Sequence, residues 1–301
     1  MFIINHRTIF FAITGIVAVA AIASIAMFGL HLSIDFTGGT MVQVTYQGSR
    51  PTQAALEQSL NSAGFKDYSL RAVGTADYVL QAQNITTDER TSLAQTFSMK
   101  GANRVTVDEL NDIGPTIGLE LRNKSIVAMT LVLVCILLFI AFAFRKVSRP
   151  VSSWLYGAMA IVGLINNVIV TTGFFALLGH LTGAQVDTLF VTAVLTVLGF
   201  SIHDTIVVFD RVRENLRVNQ ETNRKEDFAI TAGHSLNQTF VRSINTSLTV
   251  VFTLFVLFLI GPVSTQDFAL TLLVGIIAGT YSSIFLATPL LVEIEGRRRQ
   301  K

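Results

Sequence analysis

The chain has 301 residues, of which 51% are hydrophobic and 14% are charged. Soluble domains carry about 25% charged residues, so this composition excludes an ordinary soluble protein and indicates a chain that lies mostly in a bilayer. The formal net charge of +2, without a basic patch, argues against a nucleic-acid partner. A single cysteine, Cys135, excludes an intrachain disulfide framework.

Six apolar segments are long enough to cross a hydrocarbon core ~30 Å thick, which takes roughly 20 helical residues. The first is predicted to be a retained signal anchor, because its apolar run is longer than that of a cleaved signal peptide. The predicted membrane helices are Ile9–Leu30, Ile126–Phe144, Val151–Leu178, Leu189–Phe209, Asn245–Ile260 and Phe268–Val292. The predicted domains are 1–32 (N-terminus and first helix), 33–124 (a domain outside the membrane), 125–292 (five helices) and 293–301 (a basic tail).

The distribution of Lys and Arg orients the predicted helices. The two short turns at one end, 180–185 and 261–266, contain neither residue type. Basic residues are concentrated at the other end, which the positive-inside rule places in the cytosol. Both termini are therefore predicted to be cytosolic and the 33–124 domain extracytoplasmic. The basic residues at this end are Arg7, Arg145, Lys146, Arg149, those between Arg211 and Arg242, Arg297, Arg298, Arg299 and Lys301.

The 33–124 domain is predicted to be a small α+β fold. GTMVQVTYQ, YSLRAV, DYVLQAQ and NRVTVDEL have the patterns of strands, while PTQAALEQSLNSAGF and TTDERTSLAQTF have helical periodicity. The resulting order, βαββαβ, is that of a ferredoxin-like split motif. Because this fold serves many functions, it indicates no particular chemistry.

The fourth apolar segment contains an ionisable pair, His203 and Asp204, within GFSIHDTIVVFDR. A charge at membrane depth costs ~2.5–3.5 kcal/mol near the centre, so such residues usually face the bundle interior or a wet cavity. We therefore predict a functional role for Asp204, with a structural, hydrogen-bonded carboxyl group as the alternative. For His203 a packed or interfacial imidazole is favoured. Helical spacing places Asp204 with Val197, Ser201 and Val208, and His203 with Thr192, Thr196 and Gly199.

The fifth segment opens with a polar stripe. Arg242, Thr246, Thr249 and Thr253 recur at i, i+4, i+7 and i+11, and Asn245 and Ser247 flank them. A membrane helix is expected to bury such a stripe against protein or water. Arg242 lies at a depth comparable with Asp204, so we predict that the two approach each other, with an interfacial anchor as the alternative. Desolvation favours a neutral carboxyl group and a nearby guanidinium favours the carboxylate, which is the minimum equipment of a proton-coupled cycle.

The remaining polar and small residues in the membrane segments give weaker signals. Gly275 and Gly279 have the spacing of a close helix contact, whereas Asn166 and Asn167 fit either helix association or a cavity lining. No HExxH, GxSxG or P-loop pattern is present, so neither a metal nor a hydrolytic site is expected. Six helices form half of many transporters, so a second half from another chain is expected.

Four motifs resemble the SecF members of the bacterial SecD/SecF protein-export family, which is related to RND-type transporters. They are SIDFTGGT, GFSIHDTIVVFDRVREN, RSINTSLT and LFLIGPVSTQDFALTLLVGIIAGTYSSIF, and the resemblance covers nearly the whole chain. Ser33 departs from the family's pattern, which has glycine at this position. The resemblance implies a subunit of the bacterial inner membrane that uses the proton-motive force, with protons as the coupling ion and no cofactor, to assist protein export.

The same resemblance implies partners and site residues. The partners are SecD, the SecYEG translocon, the translocating preprotein, YidC- and YajC-type accessory proteins and membrane lipid. The family's proton-conducting aspartate corresponds to Asp204, and Arg242 is the best match for its arginine. Proton passage through Asp204 is expected to be coupled to movement of the external domain. The predicted proton-translocation residues are Asp204, Arg242, Asn245, Thr246 and Ser201.

Asp35, Gly38 and Gly39 form a second signature, predicted to be a structural junction or hinge, with direct contact to the exported chain as the alternative. Two other functions compete with proton-driven export. One is a half-size RND-type exporter of lipid or small molecules, and the other is a structural scaffold for the translocon, which needs no ionisable function at Asp204.

Overall fold

The computed structural model describes residues 2–65, 68–82, 85, 87–99, 101–143 and 152–299. Arg145, Lys146, Arg149 and Lys301, which entered the orientation prediction, lie outside these residues. The chain divides into two units. The helical unit contains Met1–Gly29, Ala128–Leu177 and Leu189–Lys301, and the α/β unit contains Leu30–Val127 and Leu178–Thr188.

Helices dominate the described part of the chain, and one four-stranded sheet interrupts them. Six of these helical stretches are long and apolar enough to cross a membrane. In chain order the elements are α1 (Phe2–Asn5), α2 (Arg7–Phe28), α3 (Ile34–Thr37), β1 (Gly39–Tyr46), α4 (Gln53–Ser62), β2 (Tyr68–Val73), β3 (Asp77–Ala82), α5 (Thr87–Phe97), β4 (Val105–Ile113), α6 (Pro115–Ala143), α7 (Ser153–Thr182), α8 (Thr188–Glu221), α9 (Phe228–Ile260), α10 (Val263–Ser282), a π-helical segment (Ser283–Ala287) and α11 (Thr288–Arg299).

The sheet of the α/β unit has the strand order β2-β3-β1-β4, and all its neighbours are antiparallel. With α4 and α5 this is the βαββαβ arrangement predicted from the sequence, so the predicted fold class is confirmed. Alternation along β1 buries Val42, Val44 and Tyr46. The Tyr46 hydroxyl donates to the Phe97 carbonyl at 2.9 Å, and burial raises the pKa of Tyr46 above its ordinary value.

The second membrane helix begins earlier than its apolar segment. We predicted a start at Ile126, but α6 begins at Pro115. Hydropathy reports only the part of a helix that suits lipid, whereas proline in the first turn and good helix formers after it extend the helix into polar sequence. Lys124 pairs with Glu120 one turn earlier, with Nζ 2.7 Å from Oε1.

The predicted loop between the fourth and fifth spans is mostly helical. α8 continues to Glu221 and α9 starts at Phe228, so only a short turn separates them. Asn219 and Thr231 link the two helices near this turn at 3.0 Å, and both donate to the Glu226 carboxylate. These hydrogen bonds, that of Thr231 first, lower the pKa of Glu226. Amide and hydroxyl side chains therefore stabilise the hairpin where apolar residues become scarce.

Within the helical unit, α2 contacts the last helix, α11, and crosses α7 closely. Arg7 Nε lies 2.7 Å from Glu293 Oε2. A Cβ atom at Gly173 would lie 2.5 Å from Ala21 Cα, so only glycine fits where α7 crosses α2. Ser24 donates to the Gly173 carbonyl at 2.8 Å across the same crossing.

Candidate functional site

Asp204 is 3% exposed in α8 and faces the interior of the helical unit. The Ser247 hydroxyl of α9 lies 3.4 Å from Asp204 Oδ2, at hydrogen-bonding distance. Ser247 is in turn 2.5 Å from the Thr280 hydroxyl of α10, and Thr280 reaches its own helix at the Ile276 carbonyl, 2.9 Å away. An unbroken line of hydrogen bonds therefore runs from the carboxyl group to the backbone of α10.

This line of hydroxyl groups can accommodate Asp204 in either charge state. Each hydroxyl has one proton to donate and can accept as well. When Asp204 is ionised, Ser247 donates to the carboxylate and accepts from Thr280. When Asp204 is protonated it donates to Ser247, Ser247 donates to Thr280, and Thr280 donates to the Ile276 carbonyl. Neither state leaves a donor of this line unpaired, which is the chemistry that a reversible proton carrier requires.

A second group of polar residues adjoins Asp204 across α7, α8 and α10. The Asn167 amide of α7 donates to the Ser201 hydroxyl, and both residues are buried. A Cβ atom at Gly279 would lie 3.0 Å from Ser201 Cβ, and one at Gly275 would lie 2.3 Å from Val197 Cγ2. The predicted close packing at these two glycines is thus confirmed, and it presses Ser201 against α10.

Three buried polar atoms of the helical unit find no hydrogen-bond partner within the described part of the protein: Asn167 Oδ1 and Thr171 Oγ1 in α7 and Ser243 Oγ in α9. Each buried, unpaired polar group costs about 1–3 kcal/mol. Apolar residues of similar size would therefore make a more stable interior. A polar lining at this cost indicates a site rather than a structural core.

The polar stripe of α9 points away from this interior. Arg242, Asn245, Thr249 and Thr253 are exposed and Thr246 is half-buried. Arg242 makes no ion pair with Asp204, but its guanidinium lies close enough to act electrostatically on the Asp204 carboxyl group, so the structure brings the predicted pair near each other without direct contact. The hydroxyl groups of the stripe donate to carbonyl oxygens of their own helix. The stripe that we expected to be buried is exposed on this chain.

Asp204 and His203 lie on different faces of α8, as helical spacing predicts. Ser201, Val197 and Val208 are buried with Asp204. His203 is exposed, and so are the members of its stripe, Thr192, Thr196 and Gly199. The predicted difference between the surroundings of Asp204 and His203 is confirmed.

Sequence reasoning found the acid and missed most of its neighbours. The sequence predicts Ser247 only as a flank of the polar stripe, predicts no role for Thr280, and allows two roles for Asn167. The available signal for Thr280 was its place beside Gly279, since a hydroxyl next to a close helix contact lies at the interface. The signal for Asn167 was an amide in the middle of a membrane helix.

The junction residues lie in the α/β unit, between α2 and β1. Gly38 and Gly39 have φ values of 78° and 136°, a region that favours glycine. A Cβ atom at Gly38 would lie 2.7 Å from Pro115 Cα. The Asp35 carboxylate accepts hydrogen bonds from Thr188 at the start of α8.

Together these features define a multi-pass membrane protein with a split α/β fold between its first two spans and a buried acid among hydroxyl groups. A family model described as "Protein export membrane protein SecD/SecF, C-terminal" matches residues 93–297, and one described as "SecD/SecF GG Motif" matches residues 23–49. The chain belongs to the SecD/SecF family of protein-export membrane proteins, as its sequence motifs predicted.

Several relatives are similar over nearly their full length. The protein translocase subunit SecF of Thermobaculum terrenum is 40% identical over 98% of this chain and 94% of its own. That of Anaerolinea thermophila is 38% identical over 96% of this chain and 92% of its own. This family membership, with the six candidate spans, makes the chain a membrane protein of the bacterial inner membrane.

Two solved structures resemble this fold. The crystal structure of SecDF, a translocon-associated membrane protein from Thermus thermophilus, superimposes with a TM-score of 0.85 at 30% identity and covers 98% of this chain. A super-membrane-facing form of SecDF superimposes with a TM-score of 0.65 at 31% identity. This chain spans 38% of the length of either structure's chain.

Proposed function

We propose that this chain assists protein export by carrying protons through Asp204, in a complex with a SecD-type partner and the Sec translocon. Family membership supports the role in export. The observation that carries the proton role is the line from Asp204 through Ser247 and Thr280 to the Ile276 carbonyl. Because the line can reverse its direction of donation, a proton can enter and leave Asp204 without leaving a donor of the line unpaired.

The driving force for such a cycle is the proton-motive force. Each elementary charge that crosses 100 mV releases ~2.3 kcal/mol, enough to shift a two-state conformational equilibrium substantially. Hydrogen bonds to hydroxyl groups offset only part of the desolvation cost of an ionised carboxyl group, so loss of the proton favours an arrangement in which water or a cation reaches Asp204. A change of helix packing around Asp204 is therefore the expected mechanical output.

The exposed polar stripe of α9 supports the proposal that a second chain completes the proton path. Arg242 and Asn245 face outward from α9, and a polar stripe in a membrane is costly against lipid. We place the SecD-type partner against this face, where Arg242, Asn245 and Thr246 complete the path that Asp204 begins. In this arrangement a guanidinium approaches the carboxyl group only in some states of the complex.

The proposed orientation has both termini in the cytosol and the α/β unit outside. The basic residues Arg224 and Lys225 in the α8–α9 turn and Arg297 in α11 support it through the positive-inside rule. Labelling a cysteine introduced at exposed Asp108 in intact, outer-membrane-permeabilised cells tests it. A residue that reacts only after the inner membrane is broken would contradict it.

The deciding experiment replaces Asp204 with Asn and measures proton-motive-force-dependent release of an exported protein. The amide is nearly isosteric but carries no titratable proton, so we expect this stimulation to be lost. Asp210→Asn is the matched control, since it removes an exposed acid one and a half turns further along α8. Wild-type export by Asp204→Asn, with normal complex abundance, would contradict the proton role and favour the scaffold.

The half-size exporter of lipid or small molecules is the competing function. The naming of the relatives as protein translocase subunits counts against it. Purification from a native membrane separates the two functions. Recovery of this chain with neither a SecD-type partner nor translocon subunits would favour the exporter.

A further inference from the structure

The junction between α2 and β1 is held by its own local structure. Ser33 begins the short helix α3, and its hydroxyl accepts from the Asp35 amide at 3.1 Å. Ile34 and Phe36 are 6% and 3% exposed, so both anchor the segment inside the α/β unit. Asp35 lies between these two anchors with its side chain directed elsewhere.

The Asp35 carboxylate reaches the first residue of α8. Its Oδ2 atom accepts from the Thr188 backbone amide at 2.9 Å and from the Thr188 hydroxyl at 2.8 Å. The first amides of a helix have no partner within the helix, and the positive end of the helix dipole favours a carboxylate there. Asp35 therefore caps α8 from a segment that is distant in the sequence.

Further contacts fix the junction on both sides. The Ser33 amide donates to the Val186 carbonyl at 2.9 Å, and the Val186 amide donates to the His31 carbonyl at 2.7 Å. On the other side Gly38 lies against Pro115, and a Cβ atom at Gly118 would lie 2.8 Å from the Gly38 amide nitrogen. The junction is thus bound to the residues before α8 and to the start of α6, with no room for side chains at the two glycines.

α8 is one continuous helix from Thr188 to Glu221, and Asp204 lies on it about 24 Å from Thr188 at ~1.5 Å per residue. A helix transmits displacement along its axis, because its hydrogen bonds run in that direction. The Asp35 carboxylate thus binds the first residue of α8, and the buried Asp204 lies near the middle of the same helix. Four residues after Asp35 the chain enters β1.

We propose that Asp35 is a positioning residue that couples α8 to the α/β unit, so that movement of α8 during the proton cycle is passed through Thr188 and the junction into β1. This inference rests on the proposed proton role of Asp204. In this proposal the junction that contains Asp35 is a mechanical link between α8 and β1, and not only a turn between α2 and β1. The contact stays closed throughout the cycle and acts as a rigid link.

The test compares proton flow with export in the assembled complex. Asp35→Ala removes the cap of α8. Loss of a helix cap costs about 1 kcal/mol, which corresponds to about fivefold in an equilibrium, so we expect proton-driven export to fall about fivefold. Proton conduction through the reconstituted complex, followed with a pH-sensitive dye, should stay within about twofold of wild type. A merely structural role would lower both measurements together through the amount of assembled complex, which is quantified by co-purification.

Graded variants test the contact itself. Thr188→Val removes one of the two donors and leaves the backbone amide, so we expect export to fall about twofold, and Thr188→Ser should restore it. Asp35→Asn keeps an acceptor without the charge and should lie between Asp35→Ala and wild type. Asp108→Asn, an exposed acid in β4 of the same unit, is the matched control and should export normally.

The outcomes separate the link from the proposed function. Loss of export by Asp35→Ala with conduction retained supports the link, whereas wild-type export, or an equal loss of export and conduction, overturns it. If the Asp35→Ala complex fails to assemble, export and proton conduction are compared in Thr188→Val by the same criteria. Failure of the proposed function shows instead as unchanged export by Asp204→Asn, whatever the Asp35 variants do.

Discussion

The interiors of the two units are built from different chemistry. The core of the α/β unit is mainly apolar, and Leu56, Leu80 and Phe97 in it are completely buried. Its buried tyrosine and threonine hydroxyls have hydrogen-bond partners. The interior of the helical unit contains a carboxyl group and several hydroxyls, and some of its polar atoms lack partners. Both interiors exclude solvent, so burial alone does not distinguish them.

This difference in composition indicates that the interior of the α/β unit serves stability, whereas the polar interior of the helical unit serves function. An apolar core contributes roughly 25 cal/mol for each Å² removed from water. A buried polar group contributes little even when paired and destabilises when it is not. We therefore expect substitutions in the α/β core to lower stability, and substitutions around Asp204 to lower export at nearly constant stability.

Leu80→Ala should have the largest effect on stability. Leu80 is fully buried in β3, and truncation of such a residue costs about 2–5 kcal/mol through lost burial and a cavity. Hydrogen exchange of the α/β unit in the full-length protein measures this loss. Val79→Ala, on the less buried face of the same strand, is the control and should cost less. Equal costs would contradict a one-sided core.

Ser247→Ala should lower export about tenfold with little change in stability. The variant removes the donor to Asp204 and breaks the line to Thr280, and hydrogen bonds to charged groups are worth about 1.5–3 kcal/mol. Export rate per assembled complex is the measurement. Ser24→Ala, which removes another interhelical hydroxyl of the helical unit, is the control. A similar loss in both variants would indicate a general packing effect.

Asn167→Leu should lower export about fivefold while leaving stability unchanged or slightly higher. Leucine has a similar volume and removes the unpaired Oδ1 atom, which relieves a cost of about 1–3 kcal/mol. It also removes the donor to Ser201, next to Asp204 in α8. Thermal unfolding in detergent and export assays are measured together. A parallel fall in both quantities would break the distinction between the two interiors.

Tyr46→Phe should have the smallest effect, about 0.5–1 kcal/mol at neutral pH, because one hydrogen bond to Phe97 is lost. Because the folded-state pKa of Tyr46 is raised, its contribution is fully present below the unfolded pKa of 10.0 and is lost as pH rises through the folded value. Unfolding measured from pH 7 to pH 11 should therefore show a steeper loss in wild type than in Tyr46→Phe. Identical profiles would contradict a buried, neutral Tyr46.

The α/β unit could be predicted because its evidence is local. Alternation along β1 and the helical period of α4 are visible within a few residues, and their order limits the sheet to a small number of topologies. Helix ends were harder, because the hydropathy of α6 and α8 changes at the membrane surface while the helices continue. Helix formation beyond that surface depends on capping and on packing partners such as Asn219 and Thr231.

The site was predictable only at its centre. A buried acid in an apolar helix is conspicuous, so Asp204 could be found without a structure. Ser247 and Thr280 reach it from other helices, and no local pattern specifies which residues of two helices meet. The outward direction of Arg242 also depends on how α9 is rotated against α8, which sequence periodicity leaves open when a helix has polar residues on two faces.

The π-helical segment Ser283–Ala287 sets the rotational phase of the chain that follows it. A π turn holds one residue more than an α turn, and each helical residue advances about 100°. Deleting one residue so that the segment became α-helical would leave the phase of α11 unchanged, whereas keeping all its residues in an α-helix would turn the whole of α11 by that angle. Glu293 would then point away from Arg7. The π-helical segment therefore determines the rotation of α11 about its own axis, and with it the Arg7–Glu293 ion pair.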